Sequence, residues 1–167
     1  MENNIVHRVF QMDTISKQMT EHSRCLRMDK VSLHQWFDFY QMFQEKEPRL
    51  VKIVNFDGDR TIEMEKIEGF DLRDTRLIKR MTKEERRYLM SDIISLWGVI
   101  QTFSIDSKRV FTHRDFCTSN LMYEPSTFSV KLVDPDSFAV LDPSEDNPTY
   151  LGNFIDTLYN MKRWENL

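Results

Sequence analysis

Glycine is scarce in this chain: four occur in 167 residues and none precedes Gly58. The first third of the sequence therefore offers no glycine-rich loop whose backbone N–H groups could close on a phosphate. Cysteine is scarcer still. Cys25 and Cys117 stand far apart, without the C-x-x-C or Cys/His spacing that zinc needs, which excludes a structural zinc site and points to a reducing compartment. Long apolar runs are missing too, because the greasiest segment, residues 89–105, is interrupted by Asp92 and Gln101 and is too short and polar to cross a bilayer. The opening Met-Glu-Asn-Asn has no charged region followed by an apolar stretch, so no secretory signal is read and a soluble, cytoplasmic protein is expected. Neither charge sign dominates. With 23 basic and 27 acidic residues the net charge is −4, so no global field recruits nucleic acid or an anionic membrane, and neither is expected as a partner.

What remains is enough for one hydrophobic core and one domain. Residues 4–12 and 22–29 mix β-branched, aromatic and polar types and predict two strands joined by a polar connection. Ser32 is placed to cap a helix over residues 33–46, on which Leu33, Trp36, Phe37, Tyr40 and Phe43 recur at three- and four-residue intervals, with Pro48 past its end. Asp57-Gly58-Asp59 between two β-rich runs predicts a hairpin, and residues 71–80 a short helix or loop. Thr82-Lys83-Glu84-Glu85 has the capping-box pattern. Behind it Leu89, Ile93, Leu96, Trp97, Ile100 and Phe103 draw one apolar face of a long helix. Short strands are expected at residues 110–112 and 129–133, and Phe154, Ile155, Leu158, Tyr159 and Met161 suggest a closing helix.

The chemistry concentrates in two segments, Phe111-Thr112-His113-Arg114-Asp115-Phe116-Cys117-Thr118-Ser119-Asn120 and Lys131-Leu132-Val133-Asp134-Pro135-Asp136-Ser137. Phosphoryl transfer needs one carboxylate to orient a hydroxyl and accept its proton, and hard oxygen donors to hold Mg2+ against nucleotide phosphates. Asp115 fits the first task; Asn120 and Asp134 fit the second. As turn residues, Asp and Asn also have a purely structural use here.

His113, Asp115 and Asn120 in the order H-x-D-x-x-x-x-N, followed after an apolar strand by Asp134, resemble the protein-kinase-like superfamily, in its aminoglycoside phosphotransferase and choline kinase branch. The resemblance implies an α+β, reduced bilobal kinase-like fold. Residues 1–69 would form a truncated small lobe and hinge, and residues 70–167 a reduced helical lobe. It implies ATP and Mg2+ as cofactors, Asp115, Asn120 and Asp134 as catalytic, and His113 as an architectural support. Asp136 stands where the D-F-G motif has glycine; some small-molecule kinases of the family carry a second acidic residue there, and the resemblance offers it beside Asn120 and Asp134 as a metal ligand. Met64-Glu65-Lys66-Ile67-Glu68-Gly69 is similar to the family's hinge, where Glu65 would offer a carbonyl and Ile67 an N–H to adenine. For the strand lysine the resemblance offers Arg27, with Lys17 or Lys30 as substitutes, and for its helix partner Asp38. Arg would neutralise phosphate with a planar fork in place of a point charge.

Three functions stay open: an ATP- and Mg2+-dependent phosphotransferase acting on a small-molecule hydroxyl, a nucleotide-binding pseudokinase, and a minimal protein kinase. Cys117 in the place of the protein kinases' lysine favours the first. The missing glycines favour the second, and the literal His113-Arg114-Asp115 triplet favours the third, with Ser137, Ser144, Thr149 and Tyr150 available in the following segment. A protein partner is expected if the small lobe is completed in trans. The basic run from Lys79 to Arg87 is read as a solvated helix entrance.

Overall fold

The computed structural model describes residues 13–19, 31–106, 108–142 and 148–164, with residues 148–152 in backbone only. Its first sheet is antiparallel, in the order β1 (Thr14–Gln18), β3 (Thr61–Glu65), β2 (Ile53–Phe56). The strands expected over residues 4–12 and 22–29 lie outside the described residues. β1 instead falls in what was expected to be a polar connection. It is an exposed edge strand, aligned on β3 with Lys17 opposite Ile62. With little apolar surface to bury, such a strand carries no alternating pattern.

The hairpin between β2 and β3 forms where Asp57-Gly58 predicts it. Asp57 accepts hydrogen bonds from the backbone N–H of Asp59 at 2.8 Å and Thr61 at 2.9 Å, while Gly58 takes φ +84°, a conformation that favours glycine.

Helix α1 (Leu33–Gln44) starts at a reciprocal capping box between Ser32 and Gln35 and buries Trp36, Tyr40 and Phe43. Two of these also anchor it by polar atoms. The Trp36 indole N–H donates to the Phe138 carbonyl at 3.0 Å, and the Tyr40 hydroxyl donates to the Val51 carbonyl at 2.8 Å. Phe43 stacks on Phe103 with ring centres 4.0 Å apart, which ties α1 to the end of the long helix.

That long helix, α3 (Lys83–Thr102), follows the short α2 (Thr75–Arg80) and begins at the Thr82/Glu85 capping box. Leu89, Ile93, Leu96 and Ile100 are buried along its inner face. Asp92 interrupts the apolar pattern for a reason: it accepts from Arg49 at 2.6 Å and from the Val130 N–H at 2.8 Å. One carboxylate thus joins the helix, the entry to β2 and the second sheet.

The second sheet runs β4 (Phe70–Asp71), β7 (Leu121–Glu124), β8 (Ser129–Leu132), and the third β5 (Ser104–Asp106), β6 (Arg109–His113), β9 (Phe138–Leu141). Between β3 and β4 the chain passes so close to β7 that a Cβ on Gly69 would lie 2.5 Å from the Tyr123 carbonyl oxygen, so only glycine fits there without a shift of backbone. Helix α4 (Pro148–Trp164) closes the fold, stacking Phe154 on Trp97 at 4.4 Å and burying Met161 and Trp164. No described helix is long and apolar enough to cross a membrane.

Candidate phosphotransfer site

The two chemical segments meet because β6 and β9 are paired, with His113 opposite Phe138. β6 delivers His113 into the core, and the chain then turns through Arg114 and Asp115 into a 3-10 turn, Thr118–Asn120. Opposite it, Asp134-Pro135-Asp136-Ser137 forms a second tight turn before β9, with Pro at the first position of a 3-10 turn, where its missing N–H costs nothing.

His113 joins the two turns. Its Nδ1 accepts the Asp115 N–H at 3.3 Å, so Nε2 carries the proton and donates to the Asp134 carbonyl at 2.9 Å. Complete burial is the main cause that lowers its pKa to about 4, against the pull of Asp134 and Asp115 toward the charged form. The ring is neutral at physiological pH and acts as a spacer of fixed tautomer.

Asp115 is held from two sides. Asn120 Nδ2 donates to its carboxylate at 3.1 Å and to its carbonyl at 2.8 Å, and Asn153 Nδ2, arriving from α4, donates to the other carboxylate oxygen at 2.8 Å. Cys117 lies alongside, its sulfur 3.8 Å from that second oxygen. With its nitrogen committed to Asp115, Asn120 keeps an amide oxygen that takes no hydrogen bond from a described residue. The Val133 N–H donates to the Asn120 carbonyl at 3.0 Å, which sets Asn120 beside the residue preceding Asp134.

Lys17 bridges the Asp134 and Asp136 carboxylates, pairing with both. Burial alone would lower the lysine pKa, but the two carboxylates more than reverse this and raise it. Burial likewise pushes Asp134 upward, yet the Lys17 ammonium, together with the Ser137 hydroxyl, holds it down to about 2. Asp136, 7% exposed, is the more deeply buried of the two acids. A cation between these carboxylates is therefore strongly favoured, and the lysine ammonium fills that place. Two carboxylates and an amide oxygen on these adjoining turns are hard donors of the type that Mg2+ takes. Among the described residues no group of three or more His, Cys, Asp or Glu side chains is placed to hold a metal ion.

The arrangement bears on one of the supporting assignments. Asp38 is exposed on α1 and does not meet the site cation. Trp36, Tyr40 and Phe43 point inward at helical spacing, which turns the intervening Asp38 outward. Arg27 lies outside the described residues; among the described residues, the cation paired with the two carboxylates is Lys17. At the hinge, Glu65 uses its carboxylate to accept from the Lys52 N–H at 2.9 Å and Lys131 at 3.4 Å. Ile67, half-buried on the core, has a backbone N–H that meets no partner among the described residues. Asn153 was missed entirely, since a single polar residue in an amphipathic helix carries no motif. Ser137 was noticed only as a hydroxyl and is in fact a donor to Asp134.

No protein-family model and no curated protein sequence matches the chain. Among solved structures, it is similar to the kinase PK-1 of Cydia pomonella granulovirus, with a TM-score of 0.52 and 16% sequence identity over 78% of this chain. It spans 45% of the length of that kinase. With small antiparallel sheets, packed helices and this neighbour, the chain has an α+β, protein-kinase-like fold.

Proposed function

We propose that the chain is an ATP- and Mg2+-dependent phosphotransferase that moves the γ-phosphate to a hydroxyl of a small molecule. The observation that carries this reading is the convergence of Asp115, Asn120, Asp134, Asp136 and Lys17 on two turns joined by His113. Asp134, Asp136 and the Asn120 amide oxygen would hold Mg2+, which when bound neutralises phosphate charge. Lys17 would exchange its carboxylate partners for phosphate oxygens, the role first considered for Arg27. Glu65 and Ile67 would present a carbonyl and an N–H to adenine. Asp115, oriented by Asn120 and Asn153, would accept the acceptor's hydroxyl proton as its oxygen bonds the γ-phosphorus and the bond to the β-phosphate oxygen breaks. Cys117 beside Asp115, where protein kinases carry lysine, supports the aminoglycoside phosphotransferase and choline kinase branch.

A second reading, a nucleotide-binding pseudokinase, is favoured by the absence of glycine before Gly58. ATP turnover with Mg2+, screened over hydroxylated metabolites, aminoglycosides and generic protein substrates, separates the two. Phosphorylation of a small hydroxyl compound is expected. Phosphorylation of proteins alone would make the chain a minimal protein kinase, and ATP binding without turnover on any acceptor would make it a pseudokinase.

A further inference from the structure

A cavity of about 360 Å3 opens beside the Thr118–Asn120 turn, between α2 and α4. Three cations from three elements line it: Arg73 from the turn after β4, Lys79 from α2 and Arg163 from α4. Among the described residues no acidic side chain lines it. Arg73 is compensated by Asp71, at 2.9 Å from its Nε, and Asp74 is taken up by Arg76. Lys79 and Arg163 make no ion pair with a described residue, so the cavity holds uncompensated positive charge in a chain whose net charge is −4. Thr118 and Thr75 add hydroxyls at the rim, and buried Leu72 and Trp164 form an apolar floor. Its volume is that of a small-molecule pocket, with convergent polar groups over an apolar base.

Thr118, which lines the cavity, lies three residues beyond Asp115 and opens the turn that ends in Asn120, so the cavity adjoins the segment that carries the proposed base. We infer that the cavity binds the oxyanion of the acceptor, and that the acceptor is a phosphorylated small molecule carrying a free hydroxyl. A phosphate dianion matches converging cations better than a single carboxylate does, since it offers more acceptor oxygens and more charge. This rests on the phosphotransferase reading and adds to it the class of acceptor. It also revises one expectation: of the Lys79–Arg87 run, read as a solvated helix entrance, Lys79 faces a cavity.

The test is calorimetric titration of the full chain, without ATP or Mg2+, using inorganic phosphate, glycerol 3-phosphate, glycerate and glycerol. Phosphate and glycerol 3-phosphate are expected to bind, glycerate more weakly and glycerol not at all. Lys79→Gln/Arg163→Gln, both exposed positions, should weaken phosphate binding roughly tenfold or more, as loss of charge-assisted hydrogen bonds does. Lys108→Gln, which removes an exposed cation that does not line the cavity, should leave it unchanged, which separates this cavity from a general loss of positive charge. Equal phosphate binding in wild type and the double variant, no saturable binding in wild type, or tighter binding of glycerate than of glycerol 3-phosphate would overturn the inference. Because binding is read without nucleotide, phosphate binding without turnover counts against the phosphotransferase reading alone. Turnover of uncharged acceptors without phosphate binding counts against the cavity alone.

Discussion

His113 donates its Nε2–H to the backbone carbonyl of Asp134 at 2.9 Å, and so one buried neutral ring sets the spacing between the proposed base and the proposed metal ligands. Its pKa, about 4 in the fold against an ordinary 6.5, ties that spacing to pH. Between these values the unfolded chain binds the proton and the folded chain does not, so stability is full above about pH 6.5 and falls as pH drops toward 4. Up to about 3 kcal/mol is at stake, at 1.36 kcal/mol per pH unit. Urea unfolding at pH 7, 6 and 5 should show a falling midpoint in the wild type. His113→Gln, neutral throughout, should be less stable at pH 7 and nearly flat over that range. Parallel pH profiles in the two proteins would contradict the assignment.

Lys17 holds the two carboxylates that Mg2+ would need. In Lys17→Met the ammonium no longer competes with a metal ion for those carboxylates, so Mn2+ binding without nucleotide, followed by electron paramagnetic resonance, should tighten by roughly tenfold, the scale of one lost charge-assisted contact. Triphosphate binding in the presence of Mg2+ should weaken over the same range while adenosine binding is kept. Unchanged metal affinity would remove Lys17 from the site.

Asn153 reaches from α4 to the Asp115 carboxylate at 2.8 Å. As a positioning residue it should affect kcat rather than nucleotide affinity: Asn153→Ala is expected to lower kcat on the order of tenfold with the KM for ATP unchanged. Asn153→Asp sets a like charge beside Asp115 and should move the acidic limb of the pH–rate profile to higher pH. A variant that loses thermal stability but keeps kcat and its pH profile would assign Asn153 a structural role only.

The elements that announced themselves in the sequence are those whose local chemistry agrees with their tertiary use. Both long helices open on capping boxes, at Ser32/Gln35 and Thr82/Glu85, and the Asp57-Gly58 turn has its hairpin. β1 gave no signal because its side chains are mostly exposed; its Lys17, offered in the sequence only as a substitute for Arg27, is placed by the carboxylates it meets, Asp134 among them 117 residues away. β4 and β5, of two and three residues, are too short for any period to show. β9 is buried at all four positions, so it shows no alternation and was passed over next to Asp136. At the site, the resemblance singled out the residues that the two adjoining turns bring together, and the helical spacing of Trp36, Tyr40 and Phe43 already turned Asp38 outward, whereas Asn153 depends on how α4 docks.

The central claim, that Asp134 binds nucleotide through metal and Asp115 serves as base, is tested most directly by titrating ATP with Mg2+ or with chelator into wild type, Asp134→Ala and Asp115→Asn, followed by single-turnover measurement. The account predicts Mg2+-dependent ATP binding in wild type and its loss in Asp134→Ala with the fold intact. It predicts wild-type affinity in Asp115→Asn with turnover lower by about 10² to 10⁴-fold. Equal ATP affinity in Asp134→Ala and wild type, ATP binding as tight with chelator as with Mg2+, or unchanged turnover in Asp115→Asn would contradict it.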